Sequence, residues 1–281
     1  MMVPSIRECV ASDGYSLHFR HWEPREPKGI VIALHGIQSH SGWYEFSSRK
    51  MFDAGFAVYF ADRRGSGLNQ RDRGHAAHAM RLINDARTLT QIAHEEHGSD
   101  GKRLPVTLLG ISWGGKIAAA LAALFPAEFE RLVLLYPGLK SRIRPNSWQL
   151  FRLNLARLFE VVKQGIPIPL TDPQLFTQDP EWQQFIVSDP LALHTVTSSF
   201  LNAGLELDRI LEQHCSSIRQ RTLLMLAEED EIIDNAAVRH CVNGFGSWHL
   251  TTIVYPGARH TLEFEPNREL IFDELVHWLV Q

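Results

Sequence analysis

The chain has 281 residues, 44% of them hydrophobic and 21% charged, with a formal net charge of -4. That is a globular composition, long enough for one large domain with an insertion or for two small domains, and it lacks the basic field that a nucleic-acid partner would need. The three cysteines, Cys9, Cys215 and Cys241, fit neither a disulfide framework nor a zinc pattern; with no signal peptide and no membrane span in view, a cytoplasmic setting is expected.

In chain order, Ile6–Ala11 and Ser16–Trp22 flank the turn signal Ser12-Asp13-Gly14 and predict a hairpin. Gly29–Leu34 is a near-continuous apolar run, the pattern of a strand buried on both faces. Similar runs follow at Ala57–Ala61, Val106–Leu109, Leu132–Tyr136, Thr222–Ala227 and Thr251–Tyr255. Helical segments are predicted near 43–54, 79–97, 114–125, 234–243 and 266–280. Strands alternating with helices imply an α/β fold, a mostly parallel sheet of about eight strands with helices on both faces.

The alternation lapses over 138–205, where six prolines interrupt amphipathic pieces. This segment reads as a helical cap inserted into a core formed by 1–137 and 206–281. Its first helix carries Trp148, Phe151, Leu155, Leu158, Phe159 and Val162 on one face. Between 138 and 170, Lys140, Arg142, Arg144, Arg152, Arg157 and Lys163 stand against one acid, Glu160. Two readings stay open: a helix packed on the core with a solvated basic face, or a lid that touches lipid or an anionic head group at a membrane surface.

Chemistry enters at Gly110-Ile111-Ser112-Trp113-Gly114. This G-x-S-x-G follows an apolar strand and precedes a helix former, the context of a nucleophile elbow. Gly110 and Gly114 would remove side chains that otherwise collide across the turn, leaving Ser112 at its tip. A serine hydroxyl needs a base, and on a doubly wound sheet the base must sit on a loop at the carboxyl end of another strand. The loop after 222–227 offers Glu228, Glu229, Asp230 and Glu231, with Asp234 nearby; the loop after 251–255 offers His260. His94-Glu95-Glu96-His97 is not H-E-x-x-H, since its histidines are three apart, and it reads as a solvated helix end. No metal ligand set and no phosphate-binding glycine loop is found, so no cofactor is expected.

Several motifs in order carry a resemblance. They are His35-Gly36 with His40-Ser41-Gly42-Trp43-Tyr44, then Asp62-Arg63-Arg64-Gly65-Ser66-Gly67, then the Ser112 elbow. Asp189-Pro190-Leu191, Asp230-Glu231-Ile232-Ile233 and Gly257-Ala258-Arg259-His260 complete the set. The chain resembles the monoacylglycerol lipase and lysophospholipase-like branch of the α/β-hydrolases over nearly its whole length. The resemblance implies Ser112 as nucleophile, His260 as general base and Asp230 as the acid that orients it. It implies an oxyanion hole from the backbone amides of Ile37 and Trp113, with His35 and Gly36 as the supporting loop and Asp62–Gly67 as a structural turn. The expected activity is cleavage of a carboxylic ester through an acyl-enzyme, and the resemblance suggests a small acyl ester, a monoacylglycerol or lysophospholipid, as substrate. A short-chain carboxylesterase, a thioesterase, a proline-iminopeptidase-type aminopeptidase and a non-catalytic binding protein remain alternatives; the substrate, acyl length and oligomeric state are left open.

Overall fold

A computed structural model of the chain describes residues 3–98, 103–143 and 165–281. Strands β1 (Ser5–Val10), β2 (Ser16–Trp22), β3 (Gly29–Leu34), β4 (Phe56–Ala61), β5 (Val106–Ile111), β6 (Arg131–Leu135), β9 (Arg221–Ala227) and β10 (Leu250–Tyr255) form one sheet in the order β1-β2-β4-β3-β5-β6-β9-β10. β1–β2 and β2–β4 pair antiparallel; every other neighbouring pair is parallel. All six residues of β3 and of β5 are buried, as two-faced coverage requires, whereas the edge strands β1 and β10 alternate with solvent.

Among the described residues the covering helices of the core are α1 (Glu45–Asp53), α2 (Ala79–His97), α3 (Gly114–Leu124), α6 (Asn235–Asn243) and α7 (Arg268–Val280). The helix expected from 43 is preceded by a 3-10 turn at Ser41–Tyr44, and the one expected from 234 starts one residue later because the Asp234 carboxylate caps it, accepting from Ala237 N at 3.0 Å. The end of α2 is not simply solvated. Glu96 pairs with Arg7 and accepts from the Tyr59 hydroxyl at 2.6 Å; His97 Nε2 lies 2.9 Å from that hydroxyl, and His21 packs against the Tyr59 ring. The Glu96 and His97 end of α2 is therefore tied to Arg7 of β1 and Tyr59 of β4.

Among the described residues between β6 and β9, the main sheet gains no strand. β7 (Gly165–Pro167) and β8 (Thr195–Thr197) form a separate antiparallel pair, with α4 (Pro180–Ser188) between them. The apolar face read over Trp148–Val162, with Arg144, Arg152, Arg157, Glu160 and Lys163, lies outside the described residues, as does the membrane contact inferred from it. One helix was not foreseen. α5 (Ser198–His214) is capped by Thr197, whose hydroxyl accepts from Phe200 N, and it buries Phe200, Ala203, Leu207 and Leu211. That stripe at three- and four-residue spacing, behind a threonine cap, was the available signal. The boundary drawn at 205 falls inside this helix. Among the described residues no helix is long and apolar enough to cross a membrane.

Candidate active site

The loops after β3, β5, β9 and β10 all leave the carboxyl edge of the sheet, and they converge on Ser112. Ser112 sits between β5 and α3 with φ +49°, a left-handed conformation that costs a non-glycine residue about 1 kcal/mol or more. Its backbone is held from three sides: its N–H donates to Leu135 O at 3.0 Å, and its carbonyl accepts from Gly115 N and Gly138 N at 2.9 and 2.6 Å. The flanking glycines serve close approach, though not chiefly between each other. A Cβ at Gly114 would press into the carbonyl oxygens of Leu34 and His35, at the end of β3. One at Gly110 would lie 2.7 Å from Ala118 Cβ and from Gly115 Cα, inside α3. The elbow is thus pinned to its neighbouring strand and to its own helix.

His260 Nε2 lies 2.9 Å from Ser112 Oγ, and His260 Nδ1 lies 2.8 Å from Asp230 Oδ2. Asp230 and His260 are each 2% exposed. The other Asp230 oxygen accepts from the backbone N–H groups of Ile232 and Ile233 at 2.8 and 2.9 Å. Because the carboxylate only accepts, Nδ1 carries the proton and Nε2 is left to accept the serine O–H. The remaining acids of that loop are engaged elsewhere: Glu229 and Glu231 pair with Arg259, and Glu228 accepts from Gly257 N.

The loop after β3 reaches the serine from the other side. A Cβ at Gly36 would stand 3.3 Å from Ser112 Cβ. Among the described residues neither Ile37 N nor Trp113 N enters a backbone hydrogen bond. His35 is buried, and burial, reinforced by the nearby Arg63 charge, pushes its pKa well below the ordinary value. It is neutral, donates from Nδ1 to Gly36 O at 2.8 Å and accepts at Nε2 from Arg63 N at 2.9 Å. This is a structural role within the loop, not that of a second base.

Residues to which no role was assigned complete the surroundings. The Tyr44 hydroxyl donates to Ser39 Oγ at 2.9 Å. Tyr136, also left-handed at φ +36°, sets its ring edge against His260 at 4.7 Å between centroids. His40 Nε2 and Trp43 Nε1 both bond Asp189 Oδ2, at 3.0 and 2.6 Å, tying the same loop to the stretch after α4. Phe176 also stands against His260, at 5.9 Å between ring centroids. Nothing in local periodicity marks these contacts, which join residues up to 149 positions apart.

Glu263, three residues after His260, is 1% exposed and accepts from Ser47 N at 2.9 Å, supplying the N-terminus of α1 with a cap that its own residue Tyr44 does not give. Burial raises its pKa to about 7, against the opposing pull of Ser47 and Arg268. The folded chain therefore holds this proton to higher pH than the unfolded chain. Its contribution to stability is full below about pH 4.5 and is lost as pH rises through about 7. Urea unfolding at pH 5, 6, 7 and 8 should show wild type losing ground to Glu263→Gln by up to roughly 3 kcal/mol across that window. A pH-independent difference would refute the buried-carboxyl account.

A model of the family described as serine aminopeptidase, S33, matches residues 25–267. The monoacylglycerol lipase of Mycolicibacterium smegmatis is 28% identical over 271 residues, covering 95% of this chain and 94% of that protein. The human monoglyceride lipase is 26% identical, covering 98% and 90%. Among solved structures, Paleococcus ferrophilus monoacylglycerol lipase superimposes with a TM-score of 0.79 at 24% identity, covering 94% of this chain and 98% of that one. A soluble variant of the Saccharomyces cerevisiae monoglyceride lipase, in complex with a substrate analog, does so with 0.84 at 20% identity, covering 99% and 96%. The last two likenesses speak to the fold.

Proposed function

This chain belongs to the serine aminopeptidase S33 family, and we propose that it works as an ester-cleaving serine hydrolase of the monoacylglycerol lipase type. The observation that carries the reading is the unbroken Ser112–His260–Asp230 hydrogen-bond chain at 2.9 and 2.8 Å, in the tautomer that leaves Nε2 basic. Ser112 Oγ attacks the ester carbonyl carbon as Nε2 takes its proton. The amides of Ile37 and Trp113 face the charge that develops on the carbonyl oxygen. The His260 imidazolium, stabilised by Asp230, then protonates the leaving alcohol. Water, deprotonated by the same nitrogen, attacks the acyl-enzyme and releases the acid.

The family description raises the aminopeptidase alternative, which needs a carboxylate to hold a substrate α-amine. Among the described residues the carboxylates around the site are engaged: Asp230 with His260, Asp189 with His40 and Trp43, Asp62 with Ser41 N and Leu68 N, and Glu263 with Ser47 N through one oxygen, its other oxygen being buried without a partner. The groups that flank the triad are instead aromatic, Phe176 on His260 and Phe200 stacked on Trp113 at 4.6 Å. Those rings, and relatives named monoacylglycerol lipases matching end to end, favour a monoacylglycerol with an apolar acyl chain. The three cysteines are free, in keeping with a cytoplasmic setting.

Rates on p-nitrophenyl esters from C2 to C16, on monoacylglycerol, on lysophospholipid, on acyl thioesters and on aminoacyl p-nitroanilides separate these readings. Turnover should extend to the long esters and to monoacylglycerol. Activity confined to C2–C4 esters would replace the lipase with a short-chain carboxylesterase, and preferential anilide cleavage would replace it with an aminopeptidase. A fluorophosphonate probe that leaves Ser112 of the folded protein unlabelled would leave only the binding-protein alternative.

A further inference from the structure

The turn after β4 carries two consecutive arginines with different surroundings. Arg64 pairs with Asp85 at 2.5 Å and Asp13 at 3.1 Å. Arg63 is 8% exposed, and among the described residues no carboxylate comes within ion-pair distance of it. Its neighbour Asp62 is committed to Ser41 N and Leu68 N. The Arg63 guanidinium instead donates from its two terminal nitrogens to Gly36 O and Ile37 O, each at 2.9 Å. It lies against the stacked pair of rings Trp113 and Phe200, 5.1 and 4.9 Å from their centroids, and its Nε has no partner. Burial pushes its pKa down to about 9, which leaves it a cation at neutral pH. A buried charge without a counter-ion is expensive, and neutral side chains could fill the same space.

The position of this cation suggests what it is for. Gly36 O and Ile37 N–H are the two ends of one planar peptide group. Arg63 and the His35 Nδ1–H both pull on its oxygen end, at 2.9 and 2.8 Å. Planarity then fixes the direction of the N–H. We propose that Arg63 is a positioning residue for the oxyanion site, fixing and polarising the Gly36–Ile37 peptide so that its N–H meets the developing oxyanion. A cation at the carbonyl end draws electron density through the amide and makes the N–H a stronger donor. Its net positive charge also lies near the place where negative charge forms, in surroundings poor in water, where such an interaction is strong. The same guanidinium packs on the ring of Trp113, the residue that supplies the other amide. The ester ground state carries no such charge, so the benefit belongs to the transition state.

This inference rests on the acyl-enzyme reading of Ser112, so fluorophosphonate labelling and p-nitrophenyl ester turnover of the wild-type protein are measured first; failure there sinks the acyl-enzyme reading itself. Arg63→Gln keeps amide donors near the two carbonyls and removes the charge. Its kcat should fall about 30-fold, below the effect of deleting a direct donor, with KM within about twofold of wild type. Affinity for a trifluoromethyl ketone, which adds to Ser112 as a charged hemiketal, should fall by the same factor. Arg63→Lys, which keeps the charge, should recover a substantial part of both. A Gln variant with wild-type kcat, Gln and Lys variants equally impaired, or a rise in KM alone would each overturn the proposal. Should the Gln variant not fold, Arg63→Lys decides: a drop in kcat without a matching drop in trifluoromethyl ketone affinity overturns it, and a joint drop with KM held supports it.

Discussion

Replacing Ser112 with alanine should lower kcat on any accepted ester by about 10⁴- to 10⁶-fold and abolish labelling by a fluorophosphonate, while the protein stays folded. The size follows from what is removed. Without Oγ there is no acyl-enzyme, and only the oxyanion amides and substrate binding remain to assist direct attack by water. Stability should change little. Serine and alanine face a similar penalty at φ +49°, and the hydrogen bonds that impose this angle come from the backbone of Leu135, Gly115 and Gly138, which the substitution leaves alone. Unfolding midpoints measured beside kcat separate the two effects. Residual activity within about tenfold of wild type would mean that another nucleophile does the chemistry.

How visible this site is in the sequence differs from residue to residue. Ser112 is legible because its neighbours must be glycine: the elbow presses on the carbonyls ending β3 and on α3, and that crowding leaves a fixed pattern. The central strands are legible because burial on both faces writes an unbroken apolar run, as in Gly29–Leu34. Asp230 is different. Five acids crowd residues 228–234, and the one that turns inward is set by the turn geometry, with its carboxylate on Ile232 N and Ile233 N while its neighbours bind Arg259, Gly257 and the start of α6. Only the resemblance singled it out. Arg63 and Arg64 are adjacent and chemically alike, yet one forms ordinary ion pairs and the other is buried against the Gly36–Ile37 peptide. No local pattern separates them, because the difference depends on which face of the turn meets the loop after β3. The helix at Ser198–His214 was passed over for the opposite reason: its signals were present, but the proline-broken stretch before it masked its start.

Asp230→Asn should cost about as much as the loss of the nucleophile's function requires, roughly 10⁴-fold in kcat, although the side chain barely changes in size. Both carboxylate oxygens act as acceptors, Oδ2 for His260 Nδ1–H and Oδ1 for the Ile232 and Ile233 amides. An asparagine offers one acceptor and one donor, so either orientation breaks one side. If its NH2 faces His260, Nδ1 must become the acceptor, the ring proton moves to Nε2, and the nitrogen facing Ser112 can no longer take the serine proton. If its NH2 faces the two backbone amides, donors oppose donors in a site 2% exposed, at a cost of about 1–3 kcal/mol, and the imidazolium loses its charged partner. The first arrangement chiefly removes activity and the second removes both activity and stability. Measuring kcat together with the urea midpoint identifies which one the protein adopts. The distinction can be sharpened with the pH profile. A variant locked in the wrong tautomer should regain rate at alkaline pH, where hydroxide can replace the missing base, whereas loss of charge stabilisation alone should scale the whole profile down. Near-wild-type kcat in a folded Asp230→Asn protein would remove Asp230 from the triad and reopen the choice among the acids of its loop.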